Sequence, residues 1–171
     1  MKKIFLISGL LILSVTIGFA QKFAYVDTEY ILGRIPAYSA AQKQLDRQSK
    51  EWQKEIETMK TGIEKMYKDY QAERVLLTDD MRTKREDQII KKEKEMKDLQ
   101  RKYFAPEGLL AKKRQELVKP IQDDVFNAIK QLATEGNYAV IFDVASGPVM
   151  LFTDPKYDKS DNVLEKMGIK N

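Results

Sequence analysis

Between Pro36 and Pro106 the chain runs 69 residues without a proline and with a single glycine, Gly62. Of these residues 17 are Lys or Arg and 14 are Asp or Glu. A stretch so densely charged and so free of helix breakers reads as a long, solvent-bathed helical hairpin. Such an element has too little interior for a conventional active site, but it can form a long arm. The flanking segments are short, apolar, β-branched and aromatic. The expected fold class is therefore α+β: a long antiparallel helical hairpin, a coiled-coil arm, projecting from a small β-containing body that oligomerisation completes.

The arm is assigned to residues 37–104. Leu45, Trp52, Ile56, Met59, Ile63, Met66, Tyr70 and Leu77 follow spacings of 7, 4, 3, 4, 3, 4 and 7, a heptad seam. Ser49 and Glu73 fill the two skipped seam positions, so the packing is expected to be imperfect. Methionines and aromatics make such a seam more pliable than Leu and Ile would. The pattern resets near Leu76, where Thr78 suits a helix N-cap and Asp79 and Asp80 suit a first turn. The hairpin tip is thus expected near 76–81. Met81, Ile89, Met96, Leu99 and Tyr103 mark the return helix. Legs of roughly 30 to 40 residues predict an arm of roughly 45 to 60 Å.

The body is assigned to residues 21–36 and 105–171, with strands near 22–27, 138–144 and 148–153. Asp27 suits the N-cap of a short helix ending at Gly33, and Pro36 suits the first turn of the next. Glu107 to Glu135 is helical, with Pro120 either kinking it or starting a second helix, and Gly136-Asn137 stops it. Tyr138 to Val144 and Val149 to Thr153 are expected to form a β-hairpin around Ala145–Pro148. Asp161 is expected to cap a short final helix, Asn162 to Met167. YAVIFDV is apolar at nearly every position, which predicts that both its faces are covered. Three short strands make a poor sheet alone, so sister chains are expected to complete it, with a helix-covered monomer as the competing arrangement.

Residues 1–20 read as a signal peptide. Lys2 and Lys3 precede an apolar run from Ile4 to Phe19, and Gly18-Phe19-Ala20 offers small residues at the cleavage positions, with cleavage before Gln21. The run is short of the roughly 20 residues a bilayer span needs. Loss of Lys2 and Lys3 lowers the formal charge from +4 to +2, which does not mark a nucleic-acid binder. The chain has neither cysteine nor histidine. Disulfides, thiol nucleophiles, thiolate or imidazole metal sites and histidine-based triads are thereby excluded. No carboxylate pair stands out for acid–base work, and no segment suggests a pocket, so the expectation is that the protein is not an enzyme and takes no cofactor. Asp154, Asp158 and Asp161 lack the spacing of a calcium loop and are read as turn and cap residues.

Trp52, Met59, Met66, Tyr67, Tyr70, Met81 and Met96 are the candidate client-binding residues. They form either a soft surface that grips varied apolar partners or the ordinary core of the hairpin, and Tyr67 lies off the seam. Arg82, Lys84, Arg85, Lys91, Lys92 and Lys94 are a candidate basic patch, toward acidic partners or anionic lipid, or else a solvated helix face balanced by neighbouring carboxylates.

The order of these features resembles the OmpH/Skp family of periplasmic chaperones. The signal peptide, FAYVDTEYILGRIPAY, the charged hairpin, YAVIFDVASGPVMLF and the closing DKSDNVLEKMG carry the likeness. The resemblance implies a homotrimer whose strands build a body and whose three arms enclose a cavity. It implies an ATP-independent holdase in the periplasm that keeps unfolded outer-membrane proteins from aggregating. Contact with anionic lipid or lipopolysaccharide stays open, since some members bind lipopolysaccharide through basic side chains. The competing reading is a coiled-coil spacer of the cell envelope, rigid and with fixed partners.

Overall fold

A computed structural model describes residues 21–145 and 150–169. The expected signal peptide, 1–20, lies outside the described residues. The chain starts with strand β1, Lys22–Val26. Its alternation turns Ala24 and Val26 inward, at 3% and 1% exposure, and leaves Phe23 on the outer face. Asp27 ends the strand, and its carboxylate accepts from the Tyr30 N–H at 2.9 Å. That cap opens helix α1, Thr28–Arg34, which runs one residue past Gly33 and buries Ile31.

Helix α2, Pro36–Glu73, begins at its proline as the sequence suggests. It spans about 57 Å at helical rise. Helix α3, Asp79–Phe104, returns beside it. Thr78 caps α3 by accepting from the Met81 N–H at 3.4 Å. The turn therefore occupies Arg74–Thr78, and the tip sits slightly earlier than the expected 76–81, because the Thr78 cap places Met81 already inside the helix. At 26 residues, α3 limits the paired arm to about 39 Å, shorter than the expected reach of roughly 45 to 60 Å.

The reason is that the first turns of α2 belong to the body. Ala41 and Leu45 are buried against Val118 of helix α4, Leu109–Gly136. Leu45 thus packs on α4 and not in the hairpin seam. Between α3 and α4 the chain turns at Gly108, where a Cβ would lie 2.8 Å from the Tyr103 carbonyl oxygen and 2.9 Å from that of Ala105. Only glycine lets the backbone pass there. Pro120 sits inside α4 without dividing it. The helix stops at Asn137, which takes the left-handed conformation at φ 51°.

Strand β2, Tyr138–Asp143, then pairs with β1 in parallel. Phe23 lies beside Val140, Ala24 beside Ile141 and Tyr25 beside Phe142. The long excursion through arm and α4 is the crossover that parallel pairing requires. The expected hairpin partner near 148–153 is corrected: residues 150–153 are irregular, and 146–149 lie outside the described residues. Leu151 and Phe152 are 96% and 84% exposed, with no layer among the described residues to bury them, so a strand there would gain little. The other edge of β1 instead meets Asp158 in a short bridge, and the Lys159 N–H donates to the Tyr25 carbonyl at 2.9 Å. Nor are both faces of β2 covered, since Val140 and Phe142 stay about two-fifths exposed on the side away from α4.

The last helix, α5, Ser160–Lys166, starts before the expected Asp161 cap. Asp158 accepts from both the N–H and the hydroxyl of Ser160, and Asp161 accepts from the Tyr30 hydroxyl at 2.9 Å. Val163 and Leu164 close the core over Val26, Ile31, Ile35, Val125 and Ala128. The two ends of the described chain, β1 and α5, are thereby bound into one body.

Candidate functional site

The candidate site is the arm, and its seam explains its mechanics. At the base Trp52 stacks flat on Tyr103, with ring centroids 4.6 Å apart, and Phe104 meets both rings edge-on. The Tyr103 hydroxyl donates to Glu55 at 2.9 Å. Further out, Ile63, Tyr70 and Ile89 are buried, with Met66, Leu77 and Met96 packed against them. The Tyr70 hydroxyl donates to Glu86 across the hairpin. Glu73, which breaks the heptad, faces Arg85 of the opposite helix at 3.5 Å. Around Gly62, midway between the two tyrosines, nothing lies within 4 Å of where a Cβ would be. A glycine in mid-helix with open space beside it weakens α2 by about 0.5–1 kcal/mol relative to alanine.

Both tyrosines have pKa values raised above 10.0, first by the hydrogen bond each donates to its glutamate and then by desolvation. A tyrosine whose folded pKa is raised stabilises the hairpin fully below its unfolded value and loses that contribution as pH climbs through the folded value. The arm is therefore expected to loosen above about pH 10. Amide exchange, corrected for its intrinsic pH dependence, checks this, and the Tyr70→Phe/Tyr103→Phe double variant should lose the alkaline step. An identical step in that variant would refute the assignment.

The structure sorts the sequence-derived candidates. Trp52, Met66, Tyr70 and Met96 lie in the seam, and Met59 is half-buried. Tyr67 and Met81 are about half exposed. Three exposed apolar residues escaped sequence reasoning: Val75 and Leu76 at the tip, both over 80% exposed, and Ile90 at 61%. Ile90 had a signal, because of the adjacent pair Ile89-Ile90 only one can face a helical seam. Val75 and Leu76 had none, since a turn gives no periodicity.

The basic candidates are not one field. Arg82 donates to Asp79 at 3.0 Å and to the Arg74 carbonyl at 3.1 Å, bracing the tip. Lys84 pairs with Asp80 and Lys92 with Glu95, each at 2.7 Å, and Arg85 with Glu73. Lys92 draws the Glu95 carboxyl below its usual range. Lys91 and Lys94 have no ion pair among the described residues. Exposed pairs of this kind contribute little stability and mainly keep the arm hydrated.

A second surface lies on the body. The outer sheet face joins Phe23, Tyr25 and Phe142 to Phe152 and Tyr157 around an open groove of about 820 Å³. Among the described residues, no group of three or more acidic side chains is placed to hold a metal ion. Asp154 accepts from the Lys156 N–H and serves the turn. No helix of the described residues is long and apolar enough to cross a membrane.

A family model described as outer membrane protein (OmpH-like) matches residues 22–167. Comparison with curated proteins found no match. Among solved structures, the chain is similar to one from Caulobacter crescentus CB15, presented as an OmpH-like outer membrane chaperone. The TM-score is 0.66 at 14% identity, over 85% of this chain and 82% of that one. At that identity the likeness bears on the fold alone.

Proposed function

The chain belongs to the OmpH-like outer membrane protein family, and on that premise we propose that it is a non-enzymatic chaperone of the periplasm. It holds unfolded outer-membrane proteins against aggregation, without ATP, in a cavity between the arms of a homotrimer. The observation that carries this reading is the arm itself. Its seam is thin, and Tyr67, Val75, Leu76, Met81 and Ile90 stay exposed along a densely charged surface. Apolar side chains scattered this way offer many weak contacts, which multivalency adds up while no single one is tight. The charges keep a loaded complex in solution and speed encounter. Release needs no fuel, because a client that folds into a membrane withdraws its apolar surface.

The outer face of the sheet supports self-association. Val140, Phe142, Phe23 and Phe152 form an apolar patch beside a β2 edge that no described residue pairs, and sister copies would cover both. The apolar flank of the tip and Lys91 and Lys94 also suit contact with anionic lipid or lipopolysaccharide.

Aggregation of a denatured β-barrel protein after dilution tests the reading. The purified chaperone should suppress light scattering at near-stoichiometric amounts. Unchanged scattering at molar excess would sink it. Hydrogen exchange separates the rigid spacer, which would protect the whole hairpin evenly, from a holdase arm, which exchanges fastest toward its tip.

A further inference from the structure

We propose that the exported chain carries pyroglutamate at position 21, formed when its new N-terminal glutamine cyclises. The proposal rests on the export reading above and on cleavage between Ala20 and Gln21. Cleavage there makes Gln21 the terminal residue and frees its α-amine within reach of its own carboxamide. The amine nitrogen attacks Cδ, so an N–Cδ bond forms while the Cδ–Nε2 bond breaks. The departing nitrogen takes the proton lost by the amine and leaves as ammonia. No oxidant, metal or further reactant is needed.

The structure leaves this reaction free to occur and gives it a consequence. Gln21 is exposed, and no hydrogen bond holds its side chain among the described residues. Sheet pairing begins at the next residue, Lys22 beside Tyr138, so a lactam at 21 removes no bond of the ladder. Gln21 and Lys22 line the same groove as Phe23, Tyr25, Phe142 and Phe152. A free terminal ammonium would add one more cation to a groove that already holds Lys22, Lys156 and Lys159. Cyclisation removes it, as other blocking modifications remove terminal charge.

The larger consequence is resistance to trimming. β1 is only five residues long and lies next to the new terminus. Chain ends are where fraying and proteolysis concentrate. Loss of a few residues would strip Ala24 and Val26 from the core, where they are 3% and 1% exposed. Aminopeptidases grip a free α-ammonium, which the lactam lacks.

The test is the intact mass and N-terminal fragmentation spectrum of the protein isolated from the cells that make it. The expected chain starts at residue 21 and is lighter than the free-glutamine form by one ammonia. It should resist an aminopeptidase until pyroglutamyl aminopeptidase unblocks it, whereas Gln21→Ala, isolated the same way, should lose β1 residues at once. A chain starting at Gln21 with a free amine overturns cyclisation but leaves export standing. A chain that retains Met1, or starts anywhere else, overturns the proposal through its premise. Equal erosion of wild type and Gln21→Ala overturns the protective role.

Discussion

Replacing Val140 and Phe142 together with glutamate is expected to reduce the proposed homotrimer to single chains. Both side chains are exposed in the isolated chain, so each substitution leaves the core of the body intact. Both lie on the face that we assign to sister copies. A carboxylate buried there without a partner costs several kcal/mol, and symmetry repeats that cost in every subunit. Native mass spectrometry reads the outcome, with circular dichroism to show that each chain keeps its helices. Aggregation suppression should fall sharply in the same sample, because one arm encloses nothing. A variant that keeps the full assembly would remove the sheet face from the interface and leave the cavity without a basis.

Ile31→Ala should be the most damaging single change in the body. Ile31 is 0% exposed and joins β1, α4 and α5 through Val26, Val125, Val163 and Leu164. Truncating a side chain so enclosed costs about 2–5 kcal/mol, the lost transfer energy plus the cavity left behind. A body of this size has total stability of about 5–15 kcal/mol, so a substantial part of it would go. Urea unfolding at fixed protein concentration measures the shift, the concentration being held because the proposed assembly would add to apparent stability. Ile31→Val, costing about 0.5–1.5 kcal/mol, gives the graded control. An alanine variant as stable as wild type would mean that the α1–α5 contact is dispensable.

These two expectations differ in how far the sequence led to them. Phe23 and Val26 read as strand, and Tyr70 as seam, from their spacing and propensity alone. The Asp27 and Thr78 caps and the Asn137 stop were legible for the same reason, as each is a local bargain between one side chain and the nearest backbone. The arm was legible because helical periodicity repeats within a few residues. What the sequence hid was pairing over distance. Nothing local tells β2 to lie parallel to β1, or tells residues 150–153 to stay irregular instead of pairing with the other edge of β2. Leu45 kept its heptad spacing yet went to α4, since a helix leaving the body can offer the same stripe to two successive neighbours. Trp52 read as a seam residue and Tyr103 as a mark of the return helix, but their flat stack depends on the two helices meeting at one height.

The residue order by itself therefore determined a charged two-helix arm, its caps, its breakers and the absence of thiol and imidazole chemistry. Those follow from interactions spanning a turn or two of chain, which the spacing of side chains records directly. Tertiary structure alone decided where the arm leaves the body, which tyrosines bridge it, and which apolar side chains are left outside. Those depend on which surfaces compete for the same neighbour, and burial is awarded to the arrangement that removes the most apolar area from water at once.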